Sequence, residues 1–332
     1  MKSICILCGG PSSEYDVSLA SAAAIMKNIN RDLYHTWICY IRQDLSATFF
    51  KDQLGFLPDL SALSYQPFSQ ILGEAPRDML FVLAAMHGEF GEDGSLQKML
   101  DEAGLAYTGS DSRSSALAMD KEKAATIVAS IEGICTIPTL KVNAASWEEI
   151  RPETYPVFCK PNSGGSSINV FICHDVEQLQ KTLEGIYEKS KSQEDYLIQP
   201  YLTDTIEVSC AYLEKGSGQG IFLPPIEIRP QYSDFFDYDA KYTPQASHEI
   251  CPPEGISSEM SEKISHLAGK IHKALSCRTY SRSDFLVKDD LIYYLETNTA
   301  PGMTETSLVP QECAAAGISF TKLLDFIIEA SS

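Results

Sequence analysis

The sequence predicts an α/β protein that becomes α+β in its C-terminal part, arranged as three units over residues 1–112, 113–205 and 206–332. Three observations carry the expectation. Short apolar runs alternate with helical patterns through residue 110; shorter strands and four more helical segments follow; and a period-two hairpin lies near the end.

In order, "SICIL" (3–7) is a strand running into the Gly9-Gly10 turn, and the spacing predicts a helix over Val17 to Ile29. "WICYI" (37–41) and "MLFVLAAM" (79–86) are further strands, with a helix over Ser95 to Ala103. Buried strands separated by helices give a mostly parallel sheet. The first turn lacks G-x-G-x-x-G, so the usual dinucleotide fingerprint is missing. A second unit opens on one helix, "SSALAMDKEKAATIVASI" (114–131), and continues with the strands "YPVFCKP", "INVFIC" and "DYLIQPY" around a helix that Asp175 caps. In the third, "EVSCAYL" (207–213) alternates as a half-buried strand, "GIFLPPIEI" (220–228) returns as another, and helices cover 258–277 and 320–330.

Composition narrows the function. With 332 residues, 44% hydrophobic, there is enough chain for several cores. The apolar run before Gly9 is too short for a secretory leader and no stretch reaches membrane-spanning length, so a cytoplasmic protein is expected. Ten cysteines then read as reduced, and Cys5 and Cys8, on opposite faces of a strand, as core residues. A formal charge of −19 argues against nucleic acid or an anionic membrane as partner. A phosphate-bearing substrate would need local cations.

The chemistry concentrates in "SRSDFLVKDDLIYYLETNTAPGMTETSLVP" (281–310). Strands Tyr280 to Val287 and Leu291 to Asn298 flank the polar turn Lys288-Asp289-Asp290. Alternation puts Arg282, Asp284, Glu296 and Asn298 on one side, and pairing of Arg282 with Glu296 would set Asp284 diagonal to Glu296. Two carboxylates and an amide oxygen suit Mg²⁺, and Arg282 could stabilise negative charge on a transferring group. A solvated surface face is the competing reading, which suits Asp289 and Asp290. The Pro-Gly turn and the run of backbone donors that follow favour a site.

"CKPNSGGSSINV" (159–170) places Lys160 at a strand end before a loop slim enough to close over phosphate oxygens. Alone, such a loop is more often a flexible turn. His87 and Glu92 in "MHGEFGEDGSLQ" sit at a strand C-terminal end, where open α/β sheets bind ligands, although a lone His87 would read as a satisfied turn residue. Residues 231–252 form a long loop with few aliphatics, expected to close over the site as a lid.

Taken together, "GGPSSEYDVSLASA", "HGEFGEDGSLQ", "YTGSDSRSSALAMDK", "KPNSGGSS", "FFDYDAKYT", "SRSDF" and "LETNTAPGMTETSLVP" stand in an order and spacing that resembles the D-alanine-D-alanine ligases of the ATP-grasp superfamily. The resemblance runs nearly end to end. It implies a three-domain, homodimeric enzyme that joins two D-alanines through an acyl phosphate for peptidoglycan synthesis, using ATP and two Mg²⁺ (or Mn²⁺) per site. Asp284, Glu296 and Asn298 match the metal ligands, and Arg282 with the Gly302 N–H the groups that stabilise phosphate and oxyanion. Glu14 matches the carboxylate holding the first ammonium, with His87 nearby, and Ser307 and Leu308 match contacts to the second carboxylate. Lys121, Lys160 and Lys241 match the lysines around ATP, where Ser166, Ser167, Gln199, Leu202, Glu207 and Asn298 are further implied contacts. Ser166 is linked in the family with Glu14 and Tyr242. Because D-lactate-using relatives typically lack that tyrosine, a dipeptide product is favoured over a depsipeptide, with a related ligase using another second substrate (D-serine, D-lactate or another amino acid) as the alternative. The sequence departs from the family pattern at Tyr15, Gly164, Asn169, Ser283 and Gln199, the last where a Glu is common at the adenine edge.

Overall fold

A computed structural model describes residues 2–52, 59–74, 79–165, 168–215, 219–230 and 247–331. The first unit holds β1 (Lys2–Gly9), α1 (Tyr15–Asn28), β2 (Tyr34–Ile41), β3 (Ser46–Lys51), β4 (Gln66–Pro67), α2 (Phe68–Leu72), β5 (Met79–Ala84) and α3 (Ser95–Glu102). Its order, β4-β3-β2-β1-β5, centres β1 between two parallel neighbours. The edge strands β3 and β4 pair antiparallel, an addition that apolar runs did not announce, since much of "SATFFK" is only partly buried. Both faces of β1 are covered: Ile4, Ile6 and Cys8 join one core cluster, Cys5 and Leu7 another. The expected opposition of Cys5 and Cys8 holds, and all ten cysteines are free thiols. At the end of β1 a Cβ on Gly9 (φ +92°) would lie 2.0 Å from the Ile41 carbonyl oxygen, so the turn towards Glu14 needs glycine.

Next come α4 (Ser112–Met119), α5 (Lys121–Val128), β6 (Cys135–Thr136), β7 (Leu140–Val142), β8 (Val157–Pro161), β9 (Phe171–Cys173), α6 (Val176–Glu184) and β10 (Tyr196–Pro200). The single helix expected across 114–131 is two. Asp120 leaves helical backbone (ψ 96°) and its side chain accepts from Lys123 N, capping α5. Asp175 caps α6 in the same way through Gln178 N, as expected. The sheet β7-β10-β8-β9 packs Val157 and Cys159 against Leu179 and Leu183 of α6. Ala118, Ala124 and Val128 of α4 and α5 instead join the core beneath the following sheet, to which β6 also pairs.

The last unit comprises β11 (Ile206–Glu214), β12 (Gly220–Phe222), β13 (Ile226–Pro230), β14 (Ser247–Ile250), α7 (Ser258–Ala274), β15 (Tyr280–Lys288), β16 (Leu291–Asn298), α8 (Leu308–Ala315) and α9 (Phe320–Ala330). Strand order is β14-β13-β11-β15-β16-β6, with β12 also beside β11. Two expectations are corrected here. "GIFLPPIEI" makes two strands, because Pro224-Pro225 cannot continue a ladder. And β11 is central rather than half-exposed: Val208 and Cys210 pack with α7, whereas Ala211 and Leu213 face the core shared with the first unit. That shared core is closed by Leu323, Leu324, Ile327 and Ile328 of amphipathic α9 against Ile25 and Met26 of α1. Each such fully buried aliphatic side chain contributes ~1.5–3 kcal/mol, which ties the first sheet firmly to the last. Among the described residues, no helix is long and apolar enough to cross a membrane.

Candidate active site

The hairpin closes through a two-residue turn, Asp289-Asp290, both with positive φ (49° and 61°), between the paired Lys288 and Leu291. Such primed turns match strand twist and fix the register. The register differs from the expected one: Arg282 stands opposite Asn298 and Asp284 directly opposite Glu296, so the carboxylates face each other rather than lying diagonal. A bulge then shifts the ladder, pairing Phe285 with Tyr294. Phe285 and Tyr294 remain in the core under α7, while Leu295 and Glu296 both line the cleft. The bulge is what brings a consecutive apolar and acidic residue to one face.

Asp284 is the hub. Arg282 grips it with Nε at 3.0 Å from Oδ1 and Nη2 at 2.8 Å from Oδ2, the two-pronged geometry only guanidinium provides. Ser209 Oγ donates to Oδ1 at 2.5 Å and Asn298 Nδ2 to Oδ2 at 3.3 Å. Burial opposes the Arg282 charge, yet Asp284, with Glu296 and Glu92 beyond it, holds its pKa above the ordinary value. Glu296 is paired with Lys121 at 3.3 Å, and the same ammonium donates to the Gly164 carbonyl at 2.6 Å. Among the described residues no three His, Cys, Asp or Glu side chains could jointly hold a metal ion. Asp284, Glu296 and the Asn298 amide fit a hard divalent cation that takes its remaining ligands from water and phosphate.

A cleft of about 350 Å³ separates the two C-terminal sheets. Phe158, Lys160, Gln199 and Leu202 stand on the side of the four-stranded sheet, and Glu207, Ile228, Asp284, Leu286, Leu295 and Glu296 on the other, with Ser12, Glu14 and Gly88 at the first unit's end. Lys121 and Lys160 both line it, so two lysines stand in the cleft of an acidic protein. Gln199 Nε2 donates to Thr139 Oγ1 at 2.9 Å, which turns the acceptor half of its amide to other use. Ser166, Ser167, Lys241 and Tyr242 lie outside the described residues, as do residues 231–246 of the expected 231–252 loop, while Ser247–Ile250 at its end is the paired strand β14 rather than loop.

His87 packs behind the cleft. Its Nδ1–H donates to the Ala300 carbonyl (2.8 Å), so Nε2 accepts from Ser21 Oγ (2.9 Å). Burial lowers its pKa more than Glu14 and the Ala300 carbonyl raise it, and the ring is a neutral strut with both nitrogens engaged. Glu92 completes the clamp, accepting from Ala300 N (2.8 Å) and Gly88 N (3.1 Å). Burial, then the nearby Glu14 charge, push its pKa up to about 8. Met303 N donates to Ser21 Oγ at 3.3 Å. Residues 300–303, which carry Gly302, are thus held from the first unit. A Cβ at Gly302 would sit 2.7 Å from Ser307 Oγ, itself bonded to Thr304 N and Oγ1. Ser307 and Leu308 open α8, whose first N–H groups lack helical acceptors.

Sequence reasoning gave Glu92 a position but no role, and missed Ser209 and Ser21; the GEDG run is the signal that marks Glu92. It also missed Glu312, fully buried, whose Oε2 accepts from Ala211 N at 2.7 Å. β13 pairs with residues 207–209 of β11 and β12 with 212–214, so Glu312 fills the gap between them.

Family models described as D-ala D-ala ligase N-terminus and C-terminus match residues 3–110 and 134–329. A D-alanine--D-alanine ligase of Leptospira biflexa is 35% identical, covering 99% of this chain and 98% of its own. Among solved structures, the VanG D-Ala:D-Ser ligase from Enterococcus faecalis superposes with TM-score 0.81 at 29% identity, over 100% of this chain and 99% of the other. The D-alanine--D-alanine ligase of Bacillus anthracis complexed with ATP gives 0.75 at 31% identity, over 100% and 97%. The mixed α/β architecture is therefore the expected ATP-grasp fold, and the chain belongs to the D-alanine-D-alanine ligase family.

Proposed function

We propose that the protein joins two D-alanines at the expense of ATP, supplying D-alanyl-D-alanine for peptidoglycan precursors. The observation that carries the reading is Asp284 directly opposite Glu296 on the cleft face, with Arg282 forked onto Asp284. In the reaction, a carboxylate oxygen of the first D-alanine attacks the γ-phosphorus of ATP, releasing ADP and forming an acyl phosphate. The amine of the second attacks the acyl carbon, and the tetrahedral intermediate expels phosphate and loses a proton to give the amide.

This chain's residues divide that work. Glu14 holds the first ammonium. Lys121 and Lys160 steady the phosphates, with Lys241, Ser166 and Ser167 assigned there from the resemblance. Ile137, Phe158, Leu202, Leu286 and Leu295 offer apolar walls for the base, with Gln199 and Glu207 as polar contacts. Arg282 and the Gly302 N–H meet charge developing on the phosphoryl and acyl oxygens, where preorganised donors act most strongly. Ser307 and the α8 N-terminus receive the second carboxylate. Two Mg²⁺ (or Mn²⁺) held by Asp284, Glu296 and Asn298 would neutralise phosphate charge when bound. Ser166 and Tyr242 complete the implied link with Glu14. A cytoplasmic homodimer is the assembly that accompanies this reading.

Incubation with D-alanine, ATP and Mg²⁺ should release ADP and phosphate in step with dipeptide. No phosphate release at millimolar substrate refutes the proposal. The likeness to a D-Ala:D-Ser ligase supports a second reading, in which the incoming amino acid is D-serine.

A further inference from the structure

One row of side chains crosses the large sheet in register. Glu249 on β14 stands opposite Ile228 on β13, Ile228 opposite Glu207 on β11, and Glu207 opposite Leu286 on β15. Directly paired residues of antiparallel strands point to the same face, and Ile228, Glu207 and Leu286 all line the cleft. Glu249 therefore projects onto the cleft face as well, at the end of the row that meets α8. Gln311, in the first turn of α8, fixes it there: its Nε2 donates to Glu249 Oε2 and to the Thr306 carbonyl, the latter at 2.7 Å. Thr306 immediately precedes Ser307 and Leu308, and Leu308 packs on Ile226 and Ile228. A carboxylate thus stands beside the helix N-terminus assigned to the second substrate.

We infer that Glu249, oriented by Gln311, reads the side chain of the second amino acid and lets the site accept one bearing a β-hydroxyl alongside D-alanine. The inference rests on the ligase reading and on Ser307 and Leu308 holding the second carboxylate. Holding an acid half-buried on this face of the sheet is costly: burial pushes its pKa up, while Gln311 and Arg282 draw it down. Gln311 already donates to Oε2, and a side-chain hydroxyl would add a second donor that a methyl group lacks. Sites that hydrogen-bond a substrate hydroxyl discriminate against the analogue without it.

The experiment supplies the full-length protein with ATP, Mg²⁺ and equal D-alanine and D-serine, and weighs the two dipeptides by mass spectrometry. Wild type should make D-alanyl-D-serine as well as D-alanyl-D-alanine. Glu249→Leu should lower the serine-to-alanine product ratio about tenfold, and Glu249→Gln, which keeps an acceptor, should retain most of it. Gln311→Leu should lower the ratio by a smaller factor. A ratio unchanged in Glu249→Leu overturns the inference, as does a parallel loss of both products or a wild type that makes D-alanyl-D-alanine alone. Should Glu249→Leu fail to fold, as read by its melting curve, an unchanged ratio in Gln311→Leu overturns it instead. A wild type that releases ADP with neither amino acid strikes at the ligase reading, and this inference falls with it.

Discussion

The hairpin β15–β16 and the clamp around Ala300 meet at the same site but are built on opposite principles. In the hairpin, rigid strands carry the groups to which the proposed chemistry is assigned: Arg282, Asp284, Glu296 and Asn298 are placed by alternation, and the ladder fixes their spacing. In the clamp the loop that carries Gly302 has no regular structure of its own, and His87, Glu92 and Ser21 reach across from the first unit to pin its backbone. The difference teaches where precision comes from. Strand-borne groups inherit it from backbone pairing, whereas the Gly302 N–H must receive it from side chains more than two hundred residues earlier.

The largest effect should follow from damage to the hairpin face. Glu296→Gln keeps shape and hydrogen bonding but removes a charge that pairs with Lys121 and suits a cation. Turnover should fall by about 10³-fold or more, with the melting temperature nearly unchanged, as ADP release and calorimetry would read. Full turnover in that variant would dismantle the metal assignment.

The clamp should reveal itself next, in the pH dependence of stability. Glu92 titrates near 4.5 unfolded and is pushed up to about 8 folded. The folded state binds its proton more tightly, so stability is fully present below pH 4.5 and is lost as pH rises towards 8. The span is on the order of 5 kcal/mol for a completely buried group. Glu92→Gln, which cannot ionise, should flatten that segment of a urea-denaturation profile; an unaltered slope would mean that Glu92 does not titrate as its burial demands.

A smaller effect separates clamp from hairpin kinetically. Ser21→Ala leaves His87 Nε2 without its donor and Met303 N without its acceptor, yet touches no reacting atom. kcat should fall about tenfold, the scale of one or two misaligned hydrogen bonds, with KM for ATP within twofold. A rise in KM with kcat intact would show the loop placing nucleotide rather than the oxyanion.

Legibility in the sequence followed the same division. The parallel core of the first sheet, the hairpin, α6 with its Asp175 cap and the shared face of Arg282, Asp284, Glu296 and Asn298 were all readable, because each rests on local periodicity or a local cap. The Asp284–Glu296 register was not, since a two-residue turn and a bulge at Leu295 together moved the pairing from the expected one. The break at Asp120 was hidden inside an unbroken helical pattern, although Asp is a ready cap. Ser209, Glu92 and Glu312 were beyond reach as partners, because their bonds join elements 75, 208 and 101 residues apart.

The smallest prediction bears on the turn that sets the register. Asp289 and Asp290 both occupy left-handed backbone, where Asp is tolerated and Asn-Gly preferred. Both are exposed, so the exchange disturbs no packing. Replacing the pair by Asn-Gly should relieve strain at Asp290 and stabilise the fold by about 0.5–1 kcal/mol, partly offset by glycine's greater freedom when unfolded. Because the turn fixes Asp284 opposite Glu296 without touching either, kcat should stay within twofold of wild type. A stabilised protein with impaired turnover would instead mean that the wild-type turn holds the two carboxylates in a strained alignment that catalysis uses, and the contrast between a rigid hairpin and a borrowed clamp would have to be redrawn.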